Sequence, residues 1–264
     1  MRRYFVLFWL QLRTSILLAA QYRWDFLVDG VISLFWVTAA VVPLFVVYGN
    51  AAHAGIPGWS FGEALVVSGW FVLLQGVLDG AINPGLAAVI DHIRKGTLDF
   101  VLLKPADGQF LVSTARYHVF RVFSIGAALI IFVTAFRRLG TVPSLTHVLQ
   151  ALVLLVAAVL ILYSMWILIV SSAFLVVKVD NLTYLFSSVF DAARWPSSVF
   201  RGVWHIVFTF IIPIAVMTTF PAEALLGRMS VVTMVGTVIG AVLFSIASRQ
   251  VWLRAIGHYT SAGG

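Results

Sequence analysis

The run HVLQALVLLVAAVLILYSMWILIVSSAFLVV, residues 147–177, decides the fold. It holds no Asp, Glu, Lys or Arg. The ~30 Å hydrocarbon core of a bilayer takes about 20 apolar helical residues. The run is therefore long enough to cross a membrane, and its surplus predicts a helix that tilts or protrudes. Outward from it the pattern repeats. The 264 residues are 61% hydrophobic and 10% charged, with mean hydropathy +1.03. A soluble domain carries about 25% charged residues, so lipid must be the solvent for most of this surface. The expected fold is all-α: a polytopic membrane protein with six transmembrane helices at 26–48, 61–88, 117–136, 147–177, 201–219 and 231–247. No soluble domain, low-complexity tract or clear internal repeat interrupts it. Pro43 and Pro213 fall inside two of the spans, where neighbouring helices can re-satisfy the freed backbone groups.

At the start, Arg2 and Arg3 precede an apolar run from Tyr4 to Leu10 that Gln11 and Arg13 interrupt. A signal peptide needs an unbroken apolar stretch before its cleavage site. Residues 1–24 read instead as an amphipathic interfacial helix. Gln11, Thr14, Ser15 and Tyr22 fall close together on its wheel, and Phe5, Phe8, Trp9, Leu12 and Ile16 are free to enter lipid.

Basic residues set the orientation. Arg2, Arg3, Arg13, Arg23, Arg94, Lys95, Lys104, Arg116, Arg121, Lys178, Arg194, Arg201, Arg249 and Arg254 fall on one side of this map. Only Arg137, Arg138 and Arg228 fall on the other, 14 against 3 of the 17. The positive-inside rule puts the larger set and both termini in the cytoplasm. The net charge of +7 then belongs to loops and headgroups, and nucleic acid is not an expected partner.

Several chemistries are excluded or unsupported. With no cysteine there is no disulfide, thiolate metal site or cysteine nucleophile. The lysines are Lys95, Lys104 and Lys178, and none follows a glycine, so the chain has no phosphate loop for ATP. The six histidines are scattered, without metal-ligand spacing. No catalytic constellation supports an intramembrane enzyme. Asp79, with Gln75 and Asn83 at i−4 and i+4, puts an ionisable group on one face deep in the second span. That face either packs against partner helices or lines a translocation or gating surface. Gly76 and Gly80, like Gly236 and Gly240, are small-xxx-small pairs that permit close helix contact.

The loop 91–115 is the most polar stretch. Arg94-Lys95-Gly96-Thr97-Leu98-Asp99 reads as a charged turn and a helix start with Thr97 as N-cap. Phe100, Leu102 and Leu103 follow as an apolar surface, and Lys104-Pro105 ends the element. Two readings stand side by side: an interfacial helix on headgroups, or a docking helix for a cytosolic partner whose groove takes apolar anchors flanked by charge.

Residues 94–111 resemble the first cytoplasmic loop of ABC-2-type ABC transporter permeases, in the bacterial subgroup of six-span subunits. The pattern R-x-G-x-L-D-x-x-L-x-K-P is carried by Arg94, Gly96, Leu98, Asp99, Leu102, Lys104 and Pro105. The N-terminal helix, Trp195-Pro196, the Pro221–Gly227 segment and the Tyr259-Thr260-Ser261 tail are similar as well. The resemblance implies a bacterial inner-membrane export permease that pairs with a second permease copy, identical or homologous, and with two separate ATP-binding subunits. Those subunits, not this chain, would bind ATP and Mg. It implies a coupling helix that docks on the ATPase through Arg94, Lys95, Thr97, Leu98, Asp99, Phe100, Leu103 and Lys104. Closure of the ATPase dimer would push this helix, tilt the first, second and fifth spans, and open a path for a drug, lipid or glycan. The alternative is a scaffold or sensor that docks a cytosolic partner without transport.

Overall fold

The computed structural model describes residues 2–21, 23–49, 55–174 and 180–259. Among them the chain is helical, with an isolated bridge Ile56–Trp59 and no strand. The helices are α1 (Arg2–Gln21), α2 (Arg23–Gly49), α3 (Phe61–Arg94), α4 (Asp99–Leu102), α5 (Gly108–Ser113), α6 (Val122–Leu139), α7 (Leu145–Ser172), α8 (Asp180–Phe190), α9 (Val203–Ile206), α10 (Phe220–Leu225) and α11 (Val231–Gly257). Six are long and apolar enough to cross a membrane: Arg2–Gln21, Phe26–Gly49, Phe61–Arg94, Val119–Leu139, Leu145–Ser172 and Val231–Gly257. The chain is a multi-pass all-α membrane protein.

The set of six differs from the expected one in two places: Arg2–Gln21, expected to be an interfacial helix, is among the six by length and composition, and the segment 201–219 is not. The segment 201–219 is not a continuous helix. It breaks into α9, a π turn Val207–Ile211, a kink at Ile212–Pro213 and a second π turn Ala215–Thr219 that runs into α10. Proline offers no N–H and pushes the residue before it out of the helical region, and Ile212 sits at φ −116, ψ 85. Helix α8 falls in a stretch that sequence left unassigned. Its Phe186 and Phe190 rings pack against Trp166 and Phe71 at 5.0 and 5.5 Å. The segment is tied to the stretch before it: Thr218 Oγ1 donates to Ala193 O at 2.8 Å, and Ser197 N donates to Thr219 Oγ1 at 3.1 Å. Irregular backbone at this depth survives only when its polar groups find protein partners.

Helix α3 is the spine. At 1.5 Å per residue its 34 residues run about 50 Å, so it outruns a ~30 Å hydrocarbon core. Ser60 starts it with a capping box to Glu63. Its glycines let α6 lie against it. A Cβ on Gly62, Gly69 or Gly76 would come within 2.8, 2.7 and 2.9 Å of Leu139, Phe132 and Ser124 respectively. Gly76 and Gly80 are thus a real contact stripe, whereas Gly236 and Gly240 meet nothing within 4 Å. A π turn, Leu78–Ile82, interrupts the spine. Its origin is local: Pro84 has no N–H for the Gly80 carbonyl, which instead accepts from His118 N at 2.9 Å.

Arg2, Arg3, Arg13, Arg94, Lys95, Lys104, Arg116, Arg121, Arg249 and Arg254 gather at the end of the bundle where α1, the 91–121 loop and the last turns of α11 meet. At the far end are Arg137, Arg138 and Arg228: Arg138 lies over Phe61 at 4.8 Å, and Arg228 pairs with Glu63. Arg194, counted above with the basic side, belongs to neither. Its guanidinium lies 5.4 Å from the ring of Phe71, ten residues and about 15 Å along α3 from its far end, inside the bundle. Lys178, Thr260 and Ser261 lie outside the described residues.

Candidate functional site

The 91–115 loop forms a structured projection. Helix α3 ends in a Schellman motif: Gly96, at φ 63, gives its N–H to Ile93 O at 3.2 Å, and Thr97 N reaches His92 O at 2.9 Å. The Thr97 hydroxyl meets His92 Nδ1 at 2.8 Å. It therefore serves the turn and does not cap α4, which begins after Leu98 without a side-chain cap bond. Leu98 is fully buried. Burial of a leucine is worth about 2 kcal/mol, so Leu98 anchors the loop inward, a correction to its expected place on a docking surface. The remaining expected residues divide cleanly. Phe100 and Leu103 are 70% and 80% exposed; Arg94, Lys95 and Lys104 are exposed around them, and Asp99 is half-buried.

Behind this surface lies a polar network that sequence reasoning missed. Asp107 caps α5, accepting from Phe110 N at 3.0 Å. Arg249, from the end of α11, reaches both Asp107 oxygens and donates to Gln109 Oε1 at 2.6 Å. Gln109 donates to the Tyr163 hydroxyl of α7 at 2.9 Å, and Ser113 shares that hydroxyl at 2.7 Å. On the other side α1 grips the loop. The Tyr4 hydroxyl accepts from Asp107 N at 3.2 Å, Gln11 bonds Thr114, and Ser15 Oγ accepts from Tyr117 N at 3.1 Å. Partial burial pushes the Asp107 carboxyl up, but the Arg249 guanidinium and the Phe110 and Gln109 N–H groups outweigh it and hold the group below its usual range. The only linear hint was Asp107-Gly108 as a helix start. Nothing local joins residue 107 to residues 163 and 249.

Within the bundle, Asp79 lies 3.8 Å from Arg121 Nη1, and both side chains are about three-quarters covered. Asp191 pairs with Arg194 at 3.3 Å. Gln75 and Asn83 are half-buried on either side of Asp79, but the π turn lies between Asp79 and Asn83 and offsets the α-helical register that would align all three. Asp79 is met by the charge of Arg121, from the chain entering α6, which the face itself did not suggest.

Long apolar helices, an interrupted helix path and a structured, partly apolar projection at the basic end define an integral membrane protein. The ABC-2 family transporter protein model matches residues 34–263. The chain belongs to that family. No curated protein and no solved structure gives a significant match.

Proposed function

We propose that the chain is the permease subunit of an ATP-driven exporter, with its basic end and both termini in the cytoplasm of a bacterial inner membrane. Separate ATP-binding subunits, two per pair of permeases, dock on the Arg94–Lys104 element and supply ATP and Mg. The path, formed with a second permease copy, takes a hydrophobic or amphipathic cargo past the face of Gln75, Asp79 and Asn83. The observation that carries this reading is the exposure of Phe100 and Leu103, at 70% and 80%, beyond the end of an overlong spine helix, in a stretch where Arg94, Lys95 and Lys104 are exposed as well. Exposed apolar anchors with a charged rim suit a protein groove.

The decisive experiment replaces Phe100 and Leu103 together by Ala and co-expresses the chain with its ATP-binding subunit. Neither side chain supports the fold, so the permease should still assemble in the membrane. Anchors of this kind are worth ~2 kcal/mol or more each, so the ATPase should be lost on purification or hydrolyse ATP without transport. Wild-type assembly and transport by the double variant would refute docking. ATPase capture without cargo movement by the unaltered chain would favour the scaffold reading.

A further inference from the structure

We propose that the basic end holds a site for one anionic phospholipid with a hydroxylated headgroup, of the phosphatidylglycerol type, wedged between α1, α2 and the start of α6. The inference rests on membrane embedding and does not depend on transport.

Two cavities carry it. The first is a chamber of about 570 Å³ bounded by Thr14 and Ser15 of α1, Asp29 of α2, and Arg116, His118 and Arg121 of the chain entering α6. The second is an apolar groove of about 480 Å³ between α2 and α6, with Gly30, Ser33 and Gly126 in its walls. The two abut on both sides, at Asp29 and Gly30 on α2 and at Arg121 and Val122 at the head of α6. Both volumes lie in the range of small-molecule sites. The groove exists because facing positions lack side chains: a Cβ on Gly126 would meet nothing within 4 Å, and one on Gly30 only the Phe123 ring at 3.9 Å.

The chemistry of the walls selects the occupant. Arg116 makes no ion pair among the described residues and is exposed into the chamber region. Arg121, also in the wall, lies 3.8 Å from Asp79. The Arg116 guanidinium suits a phosphate, which arginine binds in a forked geometry, and basic pockets at the edge of membrane helices bind anionic headgroups. Asp29 is the acid on this wall. It supplies an acceptor for headgroup hydroxyls, and with Arg121 next to Asp79 the phosphate falls to Arg116. In the groove, Ser33 is 4% exposed and its Oγ has no hydrogen-bond partner. A buried polar atom of this kind needs an acceptor or donor. It lies four residues along α2 from Asp29, about 6 Å deeper, where a glycerol ester would sit beneath its phosphate. The acyl chain then fills the apolar groove.

The test uses the full-length chain in neutral detergent, with bound molecules counted by native mass spectrometry. The probes are phosphatidylglycerol, phosphatidylcholine with the same acyl chains, and glycerol phosphate. The chain should retain one phosphatidylglycerol at least tenfold more tightly than phosphatidylcholine, and glycerol phosphate only weakly. Arg116→Gln should remove the headgroup preference. Gly126→Leu, which fills open space, should weaken retention of both lipids. The two changes lie on different parts of the site, so misfolding of one variant leaves the other informative. Equal retention of the two lipids by the unaltered chain identifies ordinary lipid contact and overturns the proposal. Glycerol phosphate bound as tightly as phosphatidylglycerol overturns the lipid. Cross-linking of two chains through a single cysteine at Gly126 overturns it as well, by making this face the seam between copies.

Discussion

Arg249→Met tests whether the 91–115 loop is bolted to the spans. Methionine keeps the apolar stem of the arginine and removes three donor contacts, two to Asp107 and one to Gln109. The Arg249 and Asp107 side chains are 34% and 35% exposed. The pair itself is therefore screened and worth at most ~1 kcal/mol. Gln109 is only 8% exposed, and an unpaired buried amide oxygen costs ~1–3 kcal/mol. The expected loss is about 2 kcal/mol, most of it at Gln109. The assay is reversible unfolding in detergent of the wild type, Arg249→Met, Asp107→Asn and the double variant. Residues that act as a unit should show a coupling energy of ~0.5–1 kcal/mol in this cycle. The ATPase should still bind Arg249→Met, because Phe100 and Leu103 are untouched, yet less of its hydrolysis should drive transport. A loss below ~0.5 kcal/mol, or effects that simply add, would refute the claim that α11 and α7 hold the loop through this network.

Acid should weaken the same network. The Asp107 carboxyl titrates below its unfolded value, so its contribution is present above about pH 4 and is lost as pH falls through the folded value; unfolding of the Asp107→Asn variant should show a smaller loss over that window. Gly76→Leu should destabilise the chain by ~1–3 kcal/mol, read as a fall in unfolding midpoint, because a Cβ there already lies 2.9 Å from Ser124 Cβ; an unchanged midpoint would mean that α3 and α6 do not pack as described. Single cysteines, in a chain with none of its own, report sidedness. Val142→Cys should react with an impermeant reagent in intact cells and Leu103→Cys only after lysis; the reverse pattern would invert the proposed topology.

The spans were legible where a run is both long and uniformly apolar. Residues 147–177 and 231–247 contain α7 and α11 over most of their lengths because hydropathy and helix formation there demand the same thing. They part company at 201–219. The hydropathy of that segment is that of a span, but Pro213 and the positive φ of Gly202, at 60°, break its backbone, and Thr218 and Thr219 tie it to Ala193 and Ser197. Helix α8 escaped notice for the opposite reason: it is short, and its apolar face is recognised only when Trp166 and Phe71 stand opposite it. The loop repeats the lesson on a smaller scale. Leu98, Phe100 and Leu103 are alike in hydrophobicity, and one turn of helix has no period long enough to say which faces inward. The Schellman turn at Gly96 makes that choice, sending Leu98 into the core and the other two outward. Asp107 and Arg249 are 142 positions apart, and only the return of α11 to the basic end brings them together. The motif therefore marks where a partner would touch, while the residues that would carry a push into the membrane lie in parts of the chain that look, in sequence, like ordinary ends of helices.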